Sequence, residues 1–170
     1  MGNALNLLMN GNVFLYYGEE LGMKGSGKDE NKRAPMYWSK DGNAEGMCKG
    51  PADMDDFRMK FDSLEEQQED PDSIYNYVKQ VIRVRNQNPV IARGTTAYLE
   101  QYSGEQCFAL TRSYEGSNLL LLGNTSAEAV SVDLTGLTVG GTTAEELVLL
   151  GELYTGEETA ERAGTVVTLP

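Results

Sequence analysis

The chain has 170 residues, a length that suits one domain, or one small domain with part of another. Its formal net charge of −12 would repel nucleic-acid phosphates, so we expect no nucleic-acid partner. It contains no histidine, which excludes Ser-His-Asp and Cys-His catalysis and imidazole-ligated zinc within this chain. No run of about 18 apolar residues is present, and residues 1–9 lack a basic region and a cleavage-like site. We therefore expect no membrane partner and no signal peptide in this chain.

The two cysteines, Cys48 and Cys107, cannot form a disulfide framework, and neither belongs to a CxxC motif. Three acids near the middle of the chain, Asp53, Asp55 and Asp56, do not match the spacing of a calcium-binding loop. The sequence therefore predicts neither a metal site nor a bound cofactor.

The N-terminal pattern predicts a short helix and then a buried strand. Residues 4–9 resemble a helix end that is broken by Asn10 and Gly11. Residues 13–17 are continuously apolar and β-prone, which is typical of a strand in a parallel sheet covered on both faces. Residues 22–68 form a long polar, glycine-rich stretch without a predicted element, and such stretches are usually functional.

A helix is predicted from about residue 72 to residue 86, with apolar side chains at spacings of three and four. Asp70 would cap it, Pro71 would begin it, and Asn88 and Pro89 would end it. After residue 95 the pattern changes to short strands separated by turn residues, which favours an antiparallel sandwich. The predicted strands are residues 96–102, 106–112, 118–123, 129–134, 146–150 and 165–169.

Four successive leucines occupy residues 119–122. Leucines on both faces of one strand predict a central strand that is covered on both sides. At such a position, replacing Leu120 or Leu121 by Ala would cost about 2–5 kcal/mol through a core cavity.

One ordered set of motifs resembles the α-amylase family of glycoside hydrolases. Residues 11–23, GNVFLYYGEELGM, are similar to the eighth barrel strand of that family, although Val13 replaces a frequent proline. Residues 25–36 with Trp38 look like the loop after that strand. Residues 70–77, DPDSIYNY, with residues 82–85, Asn88 and Pro89, are similar to the eighth barrel helix and its exit.

The resemblance implies an α+β fragment of two parts. Residues 1–90 would be the last strand, loop and helix of a (β/α)8 barrel, and residues 91–170 an antiparallel β-sandwich domain. The catalytic aspartate, glutamate and second aspartate of the family lie on earlier strands, so no catalytic residue can be assigned here. The resemblance thus implies a portion of an enzyme that acts on α-linked glucans and is inactive alone. A secreted or cell-surface parent is expected, with a cytoplasmic parent as the open alternative.

Two residue pairs are candidates for chemistry in the segment after the strand. Glu19 and Glu20 are adjacent, so an extended backbone would point them to opposite sides, which is unsuitable for the paired carboxyls of a retaining glycosidase. Asp29 and Arg33 can accept and donate hydrogen bonds to sugar hydroxyls. The family carries Asp and Arg at this spacing in its substrate-binding loop. The alternative for Asp29 and Arg33 is a structural surface ion pair.

Tyr37 and Trp38 could stack on sugars, although loop packing is the simpler interpretation of Trp38. Two other functions remain open for the second half of the chain: a glycan-binding module and a purely structural domain. A row of exposed aromatic side chains would favour the module, and the candidates are Tyr98, Tyr102, Phe108, Tyr114 and Tyr154. A final expectation is a homodimer formed through residues 13–17, because an unpaired apolar strand is a template for pairing.

Overall fold

The computed structural model describes residues 2–153 and 159–170 and forms two compact units. One unit comprises the described residues up to Val13 together with those from Val81 to Pro170, and the other comprises Phe14–Gln80. The predicted combination of a few helices with antiparallel sheets is confirmed, and the described residues form no closed barrel. None of the helices in the described part of the chain has the length and apolar character needed to cross a bilayer. Tyr154, one of the candidate aromatic residues, lies outside the described residues.

The unit Phe14–Gln80 contains mostly loops, with short 3₁₀ turns at Glu19–Leu21 and Asp29–Arg33. Helix α2, Leu64–Glu69, covers the end of the stretch 22–68, for which the sequence predicts no element. It begins with a capping box, in which the Ser63 side chain and the Glu66 carboxylate each accept the backbone N–H of the other residue. A helix of this length is too short to produce a clear periodic pattern, so only the capping residues could have revealed it.

Helix α3, Ile74–Gln87, confirms the predicted periodic helix, but its cap differs from the prediction. The Ser73 hydroxyl accepts the Asn76 backbone N–H at 3.2 Å, whereas Asp70 follows the end of α2. After α3 the chain continues into helix α4, Pro89–Arg93, with Pro89 at its first position. The Asn88–Pro89 pair therefore ends one helix and begins the next.

The described residues of the second half of the chain form eight short strands. Strands β1, Thr95–Tyr98, β2, Cys107–Tyr114, and β3, Ser117–Asn124, form one antiparallel sheet in that order. A second sheet has the order β4, Val130–Asp133, β8, Val166–Leu169, and β7, Glu161–Ala163. Strands β5, Thr138–Val139, and β6, Thr142–Thr143, form a small hairpin. Side chains of the two larger sheets meet in one core that includes Ala109 and Val132.

Two strand predictions for the second half of the chain were wrong. The four leucines lie on β3, which is an edge strand rather than a central one, and each is half-buried. Leu120 and Leu122 pack against the core, whereas Leu119 and Leu121 occupy the opposite face of the sheet, and helix α4 contacts β3. Residues 147–150 form no strand, and Val148 is 87% exposed.

Residues 13–17 were predicted as a strand, yet no described strand pairs with them. Their large side chains remain accessible, and Phe14 is 85% exposed. An extended segment forms a strand only when a neighbour completes its hydrogen-bond ladder. The apolar pattern of this segment is therefore typical of a strand, but the described part of the chain supplies no neighbouring strand for it.

Helix α1, Gly2–Leu8, is held by two buried arginines. Arg85 of α3 donates to the carbonyls of Leu7 and Met9 at 2.6 Å each and to that of Gly11 at 2.5 Å. Arg112 of β2 is fully buried and donates to the Leu8 carbonyl at 2.9 Å. Two cations thus meet the carbonyl end of one helix, where positive charge is favoured.

Candidate functional site

The two sequence-predicted site residues, Asp29 and Arg33, lie one turn apart on the 3₁₀ turn Asp29–Arg33. Arg33 Nη2 donates to Asp29 Oδ2 at 2.9 Å, and Glu30 Oε1 lies 3.7 Å from the same nitrogen. The side chains of Asp29 and Arg33 are 73% and 55% exposed. The structure therefore brings these two residues together as an ion pair on an accessible turn, where solvent screening makes such a pair worth little to stability.

Asn31, at the centre of the same turn, is buried and fixes the loop that carries it. Its Nδ2 donates to the Ser26 carbonyl and to Asp55 Oδ2, both at 2.8 Å. Its Oδ1 accepts the backbone N–H of Asp55 at 2.9 Å. Asp29 and Arg33 are thus exposed on a turn whose middle residue is held by hydrogen bonds. This arrangement restricts the positions that the two charged groups can adopt.

Asp55 joins this anchor through a second contact. Lys28 Nζ lies 2.8 Å from Asp55 Oδ1. The hydrogen bonds from Lys28 and then from Asn31 lower the pKa of the Asp55 carboxyl. Sequence reasoning considered Asp55 only as a calcium ligand and missed this role, because the partner residues are 24 positions apart.

Tyr17, at the end of the apolar segment, is bonded to this same loop. Its hydroxyl donates to the carbonyl of Ala34 at 3.0 Å, and its ring lies 4.7 Å from that of Tyr16. Desolvation and then the neighbouring Tyr16 raise the pKa of Tyr17. Gly18 follows with a φ of 86°, and a Cβ there would lie 2.5 Å from Met23 Sδ. The Tyr-Tyr-Gly sequence therefore combines a tether to the loop with a turn that requires glycine.

The adjacent acids, Glu19 and Glu20, lie on the turn Glu19–Leu21 rather than on an extended strand. Glu19 Oε2 accepts the backbone N–H of Tyr16 at 3.2 Å. Glu20 is half-buried, and its Oε2 is buried without a hydrogen-bond partner among the described residues. The two carboxyls have different surroundings, and Glu19 has a structural role in closing its own turn.

The aromatic pair after the loop supports the start of helix α2. The carbonyls of Tyr37 and Trp38 accept the backbone N–H groups of Leu64 and Glu65 at 3.0 and 3.2 Å. Trp38 remains 41% exposed. The backbone carbonyls of these two residues thus satisfy helix N–H groups that have no partner inside the helix.

Gln67 of α2 is a further anchor that sequence reasoning missed. It is 3% exposed, and its Nε2 donates to the carbonyls of Leu21 and Asp62 at 3.0 and 2.7 Å. Its Oε1 accepts the backbone N–H of Tyr75 at 3.0 Å. One buried amide thus joins the turn after the apolar segment to α2 and to the start of α3. The described residues contain no group of three or more His, Cys, Asp or Glu side chains suited to a metal ion.

Comparison with known proteins matches residues 1–94 to the family described as Alpha amylase, catalytic domain. A solved structure of Eubacterium rectale Amy13B superimposes on 99% of this chain and 31% of its own chain, with a TM-score of 0.86 and 40% sequence identity. The crystal structure of an alpha-amylase from H.orenii covers 98% of this chain and 31% of its own, with a TM-score of 0.72 and 26% identity.

Curated relatives point the same way. Alpha-amylase 3 of Dictyoglomus thermophilum is 30% identical over 94 residues, which cover 55% of this chain and 19% of that protein. A trehalose synthase of Thermus thermophilus is 28% identical over 77% of this chain and 15% of its own length. The chain therefore spans less than a third of each of these proteins. Because the family match covers more than half of its residues, this chain belongs to the alpha-amylase catalytic-domain family, of which it represents part of the barrel together with a β-domain.

Proposed function

We propose that this chain is the C-terminal portion of a glycoside hydrolase that acts on α-linked glucans such as starch and maltooligosaccharides. The match of residues 1–94 to the alpha-amylase catalytic domain carries this proposal. The proposed division is a barrel remnant at residues 1–90 and a β-domain at residues 91–170. The end of the family match at residue 94 supports a boundary in this region.

The chain by itself is proposed to be catalytically incomplete. A retaining glycosidase needs two carboxyls about 5 Å apart across the scissile bond. The candidates next to the apolar segment are Glu19 and Glu20, and Glu19 already accepts a hydrogen bond from its own turn. The catalytic carboxylates that the family resemblance implies belong to earlier strands.

The test of this incompleteness is hydrolysis of a nitrophenyl maltooligosaccharide by the purified chain. We expect no release of nitrophenol above the uncatalysed rate. Turnover that disappears in a Glu19→Gln variant would show that the chain carries its own catalytic carboxylate and would refute the proposal.

In the full-length parent, Asp29 and Arg33 are proposed to bind sugar hydroxyls. Their support is the exposure of both side chains on a turn anchored by Asn31, since a pre-organised carboxylate and guanidinium can accept and donate hydrogen bonds together. The competing interpretation is a structural ion pair, which their 2.9 Å contact also fits.

Kinetics of the parent distinguish the two interpretations. Arg33→Ala should raise KM for maltooligosaccharides or shift product lengths without lowering the melting temperature. Arg83→Ala, which removes an exposed arginine from helix α3, is the matched control and should change neither property. Unchanged kinetics for Arg33→Ala on long and short substrates would favour the structural ion pair.

A second candidate function concerns the β-domain alone: a glycan-binding or purely structural module. Among its candidate aromatics, Tyr102 is buried and Phe108 is half-buried, whereas Tyr98 is 61% exposed. The described residues of this domain thus offer one well-exposed aromatic side chain rather than a row, which favours the structural role for most of its surface.

A further inference from the structure

A shallow groove that is widely open to solvent, with a volume of about 580 Å³, lies on the β-domain between the turn Glu100–Tyr102 and the segment that leads into β5. Its buried wall contains Tyr102 and Leu137, which are 8% and 6% exposed and belong to the core. The Tyr102 hydroxyl donates to the Thr135 carbonyl at 3.2 Å, which joins the two sides of the groove. The groove is therefore part of the packed scaffold rather than a gap between loose loops.

The rim of the groove presents an aromatic ring and three polar side chains. Tyr98 is 61% exposed, and Glu100, Gln101 and Thr138 are also exposed. Within the described residues, none of these four side chains takes part in a hydrogen bond or an ion pair. Their polar atoms are therefore available to a ligand without any internal contact being broken.

The composition of the rim selects a class of ligand. A carboxylate accepts hydrogen bonds, an amide both accepts and donates, and a hydroxyl does either, which together match a row of sugar hydroxyls. An exposed aromatic ring offers a flat apolar surface for the C–H face of a pyranose. None of the described residues that line the groove is a lysine or an arginine, so an anionic ligand would find no counter-charge there.

We infer that this groove is a non-catalytic binding site for an α-linked glucan oligosaccharide. The inference rests on the proposed function, because that function supplies the polymer to which the β-domain would be exposed.

The experiment is a titration of the ¹⁵N-labelled chain with maltoheptaose, followed by amide chemical shifts, with cellohexaose as the β-linked control. Shifts are expected at residues 98–102 and 136–138 with maltoheptaose and not with cellohexaose. Tyr98→Ala should weaken binding about tenfold, since an aromatic contact contributes on this order. Tyr75→Ala, which truncates a tyrosine on α3, is the matched control and should leave the affinity unchanged.

The outcomes separate this inference from the proposed function. Shifts confined to residues 14–38, with residues 98–102 silent, would overturn the groove as a site while supporting glucan contact near Asp29 and Arg33. Equal shifts with both sugars would overturn selectivity for α-linked glucans. The absence of any shift at millimolar maltoheptaose would overturn the inference, whereas the proposed function would still be judged by the kinetics of the parent.

Discussion

Arg85 and Arg112 are both buried and both donate to the end of helix α1, yet we expect their removal to have opposite consequences. Arg85 satisfies three carbonyls, those of Leu7, Met9 and Gly11, at 2.5–2.6 Å. Arg112 satisfies one carbonyl, that of Leu8, while its Nε and Nη1 are buried without a partner among the described residues. Desolvation and then the nearby charge of Arg85 lower the pKa of Arg112, so its cationic form is disfavoured where it lies.

The free energy of unfolding is expected to change in opposite directions when the two arginines are replaced by methionine. Arg85→Met removes three hydrogen bonds to a charged donor and leaves three carbonyls in need of partners, for a loss of about 3–5 kcal/mol. Arg112→Met removes one such bond, worth about 1.5–3 kcal/mol, but also removes two unsatisfied nitrogens at about 1–3 kcal/mol each. Methionine fills a similar volume, so no large cavity forms. These terms together place the net effect for Arg112→Met between a loss of about 1 kcal/mol and a stabilisation of about 4.5 kcal/mol, with the central values giving a stabilisation of about 2 kcal/mol.

Urea unfolding followed by far-ultraviolet circular dichroism measures both changes. Arg83→Met is the matched control, because Arg83 is exposed on the same helix as Arg85 and should alter stability by less than about 0.5 kcal/mol. A loss of about 3 kcal/mol or more for Arg112→Met, equal to that for Arg85→Met, would refute the reasoning. It would mean that the two buried nitrogens of Arg112 are satisfied in solution, for example by ordered water.

Three further outcomes are expected. Leu120→Ala should lower the free energy of unfolding by about 2 kcal/mol, because Leu120 packs against the core. Leu121→Ala should lower it by about 1 kcal/mol, because Leu121 lies on the other face of an edge strand. Equal losses for the two variants in urea unfolding would contradict this assignment. Hydrogen bonds from the Thr143 backbone N–H and then from its hydroxyl lower the pKa of the Glu146 carboxyl in the folded state. The stability that Glu146 contributes is therefore fully present above the ordinary glutamate pKa of about 4.3. It is lost as the pH falls through the lower pKa of the folded state. Glu146→Gln should therefore reduce the loss of stability between neutral and acidic pH, and an unchanged pH profile of chemical unfolding would argue against it. Sedimentation equilibrium should show that the unchanged chain is a dimer and that the Phe14→Ser variant is a monomer, because Phe14 is 85% exposed. If the unchanged chain is a monomer at tens of micromolar, residues 13–17 do not form a dimer interface.

The sequence alone determined features that depend on local patterns. The family motif at residues 11–23 could be recognised because its residues are adjacent in the sequence. Helix α3 could be predicted because a helix of 14 residues repeats its apolar spacing over several turns. The change to short alternating strands after residue 95 likewise predicted the antiparallel sheets. Asp29 and Arg33 were identified as a pair because they follow the strand motif and have the spacing that the family resemblance implies for its substrate-binding loop.

Only the tertiary structure decided features whose partners are distant along the chain. Arg112 donates to a carbonyl 104 positions away, and Asn31 is anchored by a residue 24 positions away, so no local pattern contains either contact. The four leucines of β3 were apolar enough for a central strand, but whether a strand has one neighbour or two depends on which other strands pair with it. Residues 13–17 show the same limit, because an apolar sequence favours an extended backbone while hydrogen bonds to neighbouring strands are what make a sheet.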